Sequence, residues 1–285
     1  MSQSLGENSN VIHVKFDKDF YYHKAMEKMR EQDFGYAESL FKKALELSPN
    51  DFVIIPPYAE CLVELNKNTE AEEMMFNQIV KENFVTDYYF YLSQMYIKTN
   101  EPNKAFLFGI NYVTISGDED YKEELEEMFE VSYHTPEKIE TESKLFAIQL
   151  IFQYLFSQGR LPEARNFILN QSTDIQEHRV VRNLLAMCYL YLNEYETAKE
   201  MFEELLSEDN SDVHALCHYT LLLYNTNELE KYKKYLKILN KVVPLNDDES
   251  FKLGIVLSYL KQYQASQNLL YPLYKKGKFL SIQMY

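Results

Sequence analysis

Small and apolar residues recur along the chain at spacings that suit helices rather than strands. In DFGYAESLFKKALELSPN, Ala37, Phe41, Ala44 and Pro49 stand at i, i+4, i+7 and i+12. The first three share one helical face, and the proline cannot continue the helix. The arrangement returns at a fixed interval of about 34 residues. Ala37 leads to Ala71 in NTEAEEMMFNQIV and Ala105 in EPNKAFLFGINYV, and Ala164 in GRLPEARNFIL leads to Ala198 in NEYETAKEMFEELL. Another step reaches Tyr232, and Pro244 follows it as Pro49 follows Ala37. A last pair of helices, DESFKLGIVLSYLKQ and YQASQNLLYPLYKK, puts Ala265 or Ser266 at this place. Ahead of these positions runs a second pattern, apolar–small–x–x–apolar: Tyr58-Ala59 with Leu62, Leu92-Ser93 with Tyr96, Leu185-Ala186 with Tyr189. The first copy keeps Ala25 but flanks it with Lys24 and Lys28, a poor match. A fixed period of this length predicts an array of helix pairs.

The period slips once. Ala105 and Ala164 stand further apart than one period and closer than two, and the extra segment is GDEDYKEELEEMFEVSYHTPEKIETESK. DYKEELEEMFEVSYH predicts one amphipathic helix with Leu125, Met128 and Phe129 on one face, and Pro136 breaks the chain after it. Its acidic run, Glu123, Glu124, Glu126, Glu127 and Glu130, reads as a solvated face, with a docking site for a basic partner as the alternative.

These residues resemble the tetratricopeptide-repeat (TPR) family. The signature of that family has a small residue at position 8, an aromatic or large apolar one near 11, small residues at 20 and 27, an apolar one at 24 and proline at 32. The match runs over about 20–280. The resemblance implies an all-α, right-handed superhelical solenoid of antiparallel helix pairs, with about seven repeats and one irregular helical insertion. Positions 8 and 20 must be small because the two helices of a unit cross closely there. The implied organisation is a flexible tail over 1–16, repeats 1–3 over 17–117, an acidic helical insertion over 118–143 that bends the array, repeats 4–7 over 144–278, and the start of a further helix over 279–285. That last stretch, in KFLSIQMY, is apolar again, so the chain is expected to be a fragment of a longer protein or to associate with itself through this end.

Composition narrows the function classes. Seven glycines and eight prolines in 285 residues are too few for a β-rich or phosphate-loop protein. A net charge of −15 repels nucleic acid and anionic membranes. No stretch approaches the ~20 apolar residues of a membrane span. The start, MSQSLGENSNVIHVKF, lacks a secretory signal, and three cysteines (Cys61, Cys188, Cys217) follow no paired spacing. A cytoplasmic, bacterial protein is expected.

In such a superhelix the first helices of the pairs line the concave face, and the family's ligand-facing side chains stand at positions 2, 5, 9, 12 and 13. Carried onto this chain, those positions give Asp19, Tyr22, Met26, Met29 and Arg30 in the first repeat, Val53, Pro56, Glu60, Val63 and Glu64 in the second, and Asp87, Phe90, Gln94, Ile97 and Lys98 in the third. Phe146, Gln149, Gln153, Phe156 and Ser157 follow in the fourth, Val180, Asn183, Met187, Leu190 and Tyr191 in the fifth, His214, Cys217, Leu221, Tyr224 and Asn225 in the sixth, and Phe251, Ile255 and Tyr259 in the seventh. The basic constellation by which some members clamp a chaperone's C-terminal carboxylate is absent, its places holding Tyr22, Met26 and Pro57. Amides can bond a peptide backbone as donor and acceptor, and aromatics and methionine give apolar contact without demanding one shape. The resemblance thus implies a groove for an extended or helical peptide. The competing reading is that these side chains simply pack between repeats. Asp19, Glu60 and Glu64 would make one end of the groove acidic.

HALCH is the one metal-like cluster. By register His214 and Cys217 face the groove while Cys188 lies elsewhere on its helix, so no metal or other cofactor is expected. Glu60 and Glu64 could pair for acid–base work only in an enclosed site. G-x-S-x-G, P-loop, G-x-G-x-x-G and H-E-x-x-H motifs are missing. The leading expectation is a non-catalytic adaptor holding a protein or peptide. A peptide-sensing regulator of another protein and a self-associating structural component stay open. The stretch 1–16 ahead of the first repeat is too short for a DNA-binding helix-turn-helix.

Overall fold

In a computed structural model the described residues, 16–81, 86–129 and 136–277, form sixteen helices and no strand. The flexible tail expected over 1–16, Phe16 apart, and the helix start expected over 279–285 lie outside them. The chain divides into two compact units, Met1–Ser143 and Lys144–Tyr285.

The first unit stacks three pairs: α1 (Lys18–Arg30) on α2 (Phe34–Leu47), α3 (Ile55–Glu64) on α4 (Asn68–Lys81), and α5 (Asp87–Lys98) on α6 (Pro102–Ser116). A single helix, α7 (Glu119–Phe129), packs on α6. The long α8 (Pro136–Ser157) begins in this unit and ends in the second. There α9 (Leu161–Leu169) and the short α10 (Thr173–Gln176) precede three more pairs. These are α11 (Arg179–Tyr191) with α12 (Tyr195–Glu208), α13 (Val213–Asn225) with α14 (Leu229–Leu239), and α15 (Asp247–Tyr259) with α16 (Tyr263–Lys275).

The small positions sit where the helices of a pair approach. Ala25, Ala59, Ser93, Ala186, Thr220 and Gly254 are buried on the first helices, and Ala37, Ala71, Ala105, Ala164, Ala198 and Ser266 on the second. At Gly254 a Cβ would come within 2.7 Å of Leu270, so contact here leaves no room for a methyl group. Of the two candidates in the last copy, Ser266 takes the buried place and Ala265 is half-buried. The fourth copy departs from the rule. Phe152, which precedes Ala164 as Ser93 precedes Ala105, is fully buried where its counterparts are small.

One conformation recurs at the turn inside each of the six pairs and between α8 and α9. Gln32, Asn66, Asn100, Gly159, Asn193, Asn227 and Lys261 all have φ between 59° and 69°. The next residue's N–H then closes back on a carbonyl five residues earlier, as in Asp33 to Lys28 (3.0 Å) and Gln262 to Leu257 (2.8 Å). This bond satisfies an orphan carbonyl at the helix end. Asparagine and glycine tolerate the left-handed region, whereas lysine is strained in it by about 1 kcal/mol. Lys261→Gly is therefore expected to raise stability by about 1 kcal/mol, read as a higher urea midpoint, while Asn193→Gly changes little.

The insertion differs from its expected face. Leu125 is fully buried and Phe129 half-buried, but Met128 is exposed, and Tyr121 takes the buried place instead. The apolar stripe is Tyr121–Leu125–Phe129, which follows Tyr88, Leu92 and Tyr96 of α5 at one position less than a full period. So α7 repeats the pattern of a first helix, and Met128 falls off a stripe spaced i, i+4, i+8. Leu125 seats on Gly109, where a Cβ would be 2.7 Å from its Cδ1.

Candidate functional site

Within the first unit, α3, α4, α5 and α7 enclose a cleft of about 470 Å³. Pro56, Ala59, Glu60 and Val63 come from α3, Met75 from α4, Phe90, Tyr91, Gln94, Met95 and Lys98 from α5, and Glu124 from α7. Pro56 and Pro57 occupy the first turn of α3, where a missing N–H costs nothing. That lets a proline side chain face the cleft without breaking the helix.

Hydrogen bonds fix the floor. Gln94 Nε2 donates to the Tyr121 hydroxyl (3.2 Å), which donates to Ser93 Oγ (3.0 Å), which donates to the Ala105 carbonyl (2.7 Å). The Phe90 ring meets Tyr121 edge-on at 5.0 Å and Tyr112 at 5.3 Å. Lys98 Nζ lies 2.6 Å from Glu60 and 3.5 Å from Glu64. Partial burial pulls the Lys98 pKa down, but the bond to Glu60 and the two carboxylates outweigh it, so the ammonium is held above its ordinary value.

Of the groove candidates, six line this cleft: Pro56, Glu60, Val63, Phe90, Gln94 and Lys98. Tyr22 is half-buried against Phe41 (6.5 Å) and is not among its lining residues. The register omits Tyr91, Met75, Met95 and Glu124. The echo of α5 in α7 is the signal for Glu124, which holds the place of Tyr91 in that frame.

The candidates from the fourth repeat onward lie in the second unit. Phe156 meets Tyr191 edge-on (5.0 Å), and Tyr224 tilts against Tyr232 (5.4 Å). Tyr191, Tyr224, Gln153 and Asn225 are exposed, whereas Gln149, Phe156, Met187, Asn183 and His214 are half-buried. Asn183 Nδ2 donates to Asp212 Oδ2 (3.0 Å) and to the Arg179 carbonyl (3.3 Å), and its buried Oδ1 has no partner. Lys252 Nζ donates to His214 Nδ1 (2.5 Å). Burial lowers both pKa values, and the Lys252 charge lowers that of His214 further.

Cys217 does not face a groove. It is fully buried, because α11 and α15 flank α13 on both sides, and burial pushes its thiol up to about 12. A protonated buried thiol is an apolar side chain rather than a ligand. Among the described residues no group of three His, Cys, Asp or Glu side chains is placed to hold a metal.

The tetratricopeptide-repeat family model matches residues 19–51 and 181–212. The TPR repeat-containing protein YvcD of Bacillus subtilis is 22% identical over 285 residues, covering 97% of this chain. The chain spans 59% of that protein's length. Among solved structures, a tetratricopeptide repeat protein from Parabacteroides merdae is 11% identical, with a TM-score of 0.40 over 93% of this chain and 94% of its own. YrrB, a TPR protein with an unusual peptide-binding site, is 12% identical, with a TM-score of 0.33 over 80% and 96%. Tetratricopeptide repeats mediate interactions between proteins. With α1–α2 and α11–α12 falling in the two matched segments, and the same turn, period and small contact positions in the other pairs, the chain carries tetratricopeptide repeats.

Proposed function

We propose that this chain is a non-catalytic scaffold of the bacterial cytoplasm that holds a segment of another protein against the first helices of its repeats. One observation carries the reading. Six residues at ligand-facing register positions, Pro56, Glu60, Val63, Phe90, Gln94 and Lys98, line one cleft. A cleft with apolar walls and a few placed polar groups is a form that binding sites take. No helix among the described residues is long and apolar enough to cross a membrane.

The test is affinity capture from a cytosolic extract, read by mass spectrometry. Wild type is compared with Phe90→Ala and with the triple variant Phe156→Ala, Tyr191→Ala, Tyr224→Ala, each first shown to keep its helical circular dichroism. A partner enriched at least tenfold by wild type and lost with either variant supports the reading and places the site in that unit. Equal capture by all three chains removes it.

A self-associating structural component is the second reading, favoured by four exposed tyrosines on the last pair, Tyr259, Tyr263, Tyr271 and Tyr274. Sedimentation equilibrium separates the two: a mass that rises with concentration supports self-association, and a constant monomer mass excludes it.

A further inference from the structure

We propose that the cleft of the first unit takes a protein segment presenting a lysine or arginine side chain between apolar ones. This rests on the scaffold reading above and specifies its partner.

The walls set the apolar part. Pro56, Val63, Met75, Phe90, Tyr91 and Met95 offer proline, methionine and ring surfaces that adapt to aliphatic side chains. The charges set the rest. Glu60 and Glu124 line the cleft, and Glu64 joins them through Lys98. The cleft and its rim thus hold three carboxylates and one ammonium. Glu124 forms no ion pair among the described residues, and it is held from both sides in sequence. Leu125 next to it is buried on Gly109, and Tyr121 one turn before is tied to Gln94 and Ser93. The backbone that carries it is therefore fixed at the cleft wall, and its carboxylate reaches into the cleft from there.

Lys98 shows what the site accepts. Its ammonium already sits between Glu60 and Glu64, but the three side chains are 45%, 53% and 40% exposed. A bridge that open contributes little stability and exchanges readily. A cation from a partner can take Glu60 and Glu124 while Lys98 stays on Glu64. Its charge would also meet the faces of Phe90 and Tyr91, which attract ammonium and guanidinium groups. An acidic segment would meet this carboxylate excess within a chain of net charge −15.

The experiment pans a phage-displayed library of random dodecapeptides against the full chain. The expected enrichment is Lys or Arg flanked by apolar residues. The synthetic consensus peptide should bind wild type at least tenfold tighter than it binds the isosteric variant Glu60→Gln/Glu124→Gln. Replacing its basic residue by glutamine should cost as much. Lys98→Gln, which frees Glu60 and Glu64 without touching the carboxylates, should tighten the basic peptide severalfold and keeps the test valid if the double variant fails to fold. Unchanged or weaker binding to Lys98→Gln overturns the inference. Enriched peptides that lack a basic residue yet lose affinity with Phe90→Ala also overturn it, and leave the scaffold reading intact. No enrichment, or peptides indifferent to Phe90→Ala and to the triple variant of the second unit, overturns both.

Discussion

Lowering the pH from 7 to 5 is expected to destabilise the second unit by about 2 kcal/mol, and His218→Phe to remove most of that loss. His218 is buried on α13, stacked on Phe202 with ring centroids 6.1 Å apart, and its Nδ1 lies 3.0 Å from the His214 carbonyl oxygen. Burial, with the nearby Lys252 charge, pushes its pKa down to about 3. An unfolded histidine titrates near 6.5. Between those values the unfolded chain binds a proton that the folded chain refuses, so stability falls as pH falls from about 6.5 towards about 3. Phenylalanine fills a similar volume and cannot take the proton. The check is the urea midpoint by circular dichroism at pH 7 and pH 5 for both proteins. His214 is also held low, by burial first, so some pH dependence should survive in the variant. Parallel curves for the two proteins would show that His218 titrates normally.

That histidine also shows what could be read from sequence. Period and small positions are local and repeated along the array, so each copy checks the others. The φ-positive turn was legible in principle, since Asn66 and Asn100 before the slip, and Asn193 and Asn227 after it, recur in step with the period, as asparagine does in left-handed turns. Burial within one helix was not legible. α13 is buried from Val213 through Leu223, apart from the half-buried His214, because α11 and α15 pack on both sides of it, and helical periodicity cannot report a helix enclosed all round. Hence the register puts Cys217 in a groove, whereas it belongs to the core. The cleft was half legible. The register supplied α3 and α5, while Glu124 depended on recognising α7 as a first helix, which its run of glutamates concealed.

Asp212→Ala is expected to cost about 3 kcal/mol, more than removal of any surface ion pair in the chain. Its side chain is 8% exposed and does three things at once. Oδ1 accepts the Ala215 N–H (3.0 Å), capping α13, and a lost cap alone costs about 1 kcal/mol. Oδ2 accepts from Arg179 Nε (2.7 Å) and from Asn183 Nδ2 (3.0 Å). Burial raises the Asp212 pKa, but these donors outweigh it and hold the carboxyl below its usual range. Its contribution is therefore complete above about pH 4 and is lost only in stronger acid, at the bottom of the His218 window, so between pH 7 and pH 5 the two effects are separate. Alanine would strand Arg179, which is two-thirds buried, and leave Asn183 with neither amide atom paired to a side chain. Leaving a buried charge uncompensated costs about 3–5 kcal/mol, discounted here because Arg179 also reaches Asp209 (3.4 Å) and the Leu205 carbonyl (3.2 Å). Arg179→Met in the Asp212→Ala background should then recover about 1 kcal/mol, because it removes the stranded charge and keeps the apolar stem. The first unit supplies the control. Lys18 and Asp51 pair at the same sequence separation as Arg179 and Asp212, and Asp51 accepts the Val53 N–H (3.0 Å), but Lys18 is 42% exposed and water can take over its charge. Asp51→Ala should cost about 1 kcal/mol, mostly the local turn. Urea midpoints for the three variants decide the matter: equal costs at Asp51 and Asp212 would mean that stranding Arg179 adds nothing to the loss.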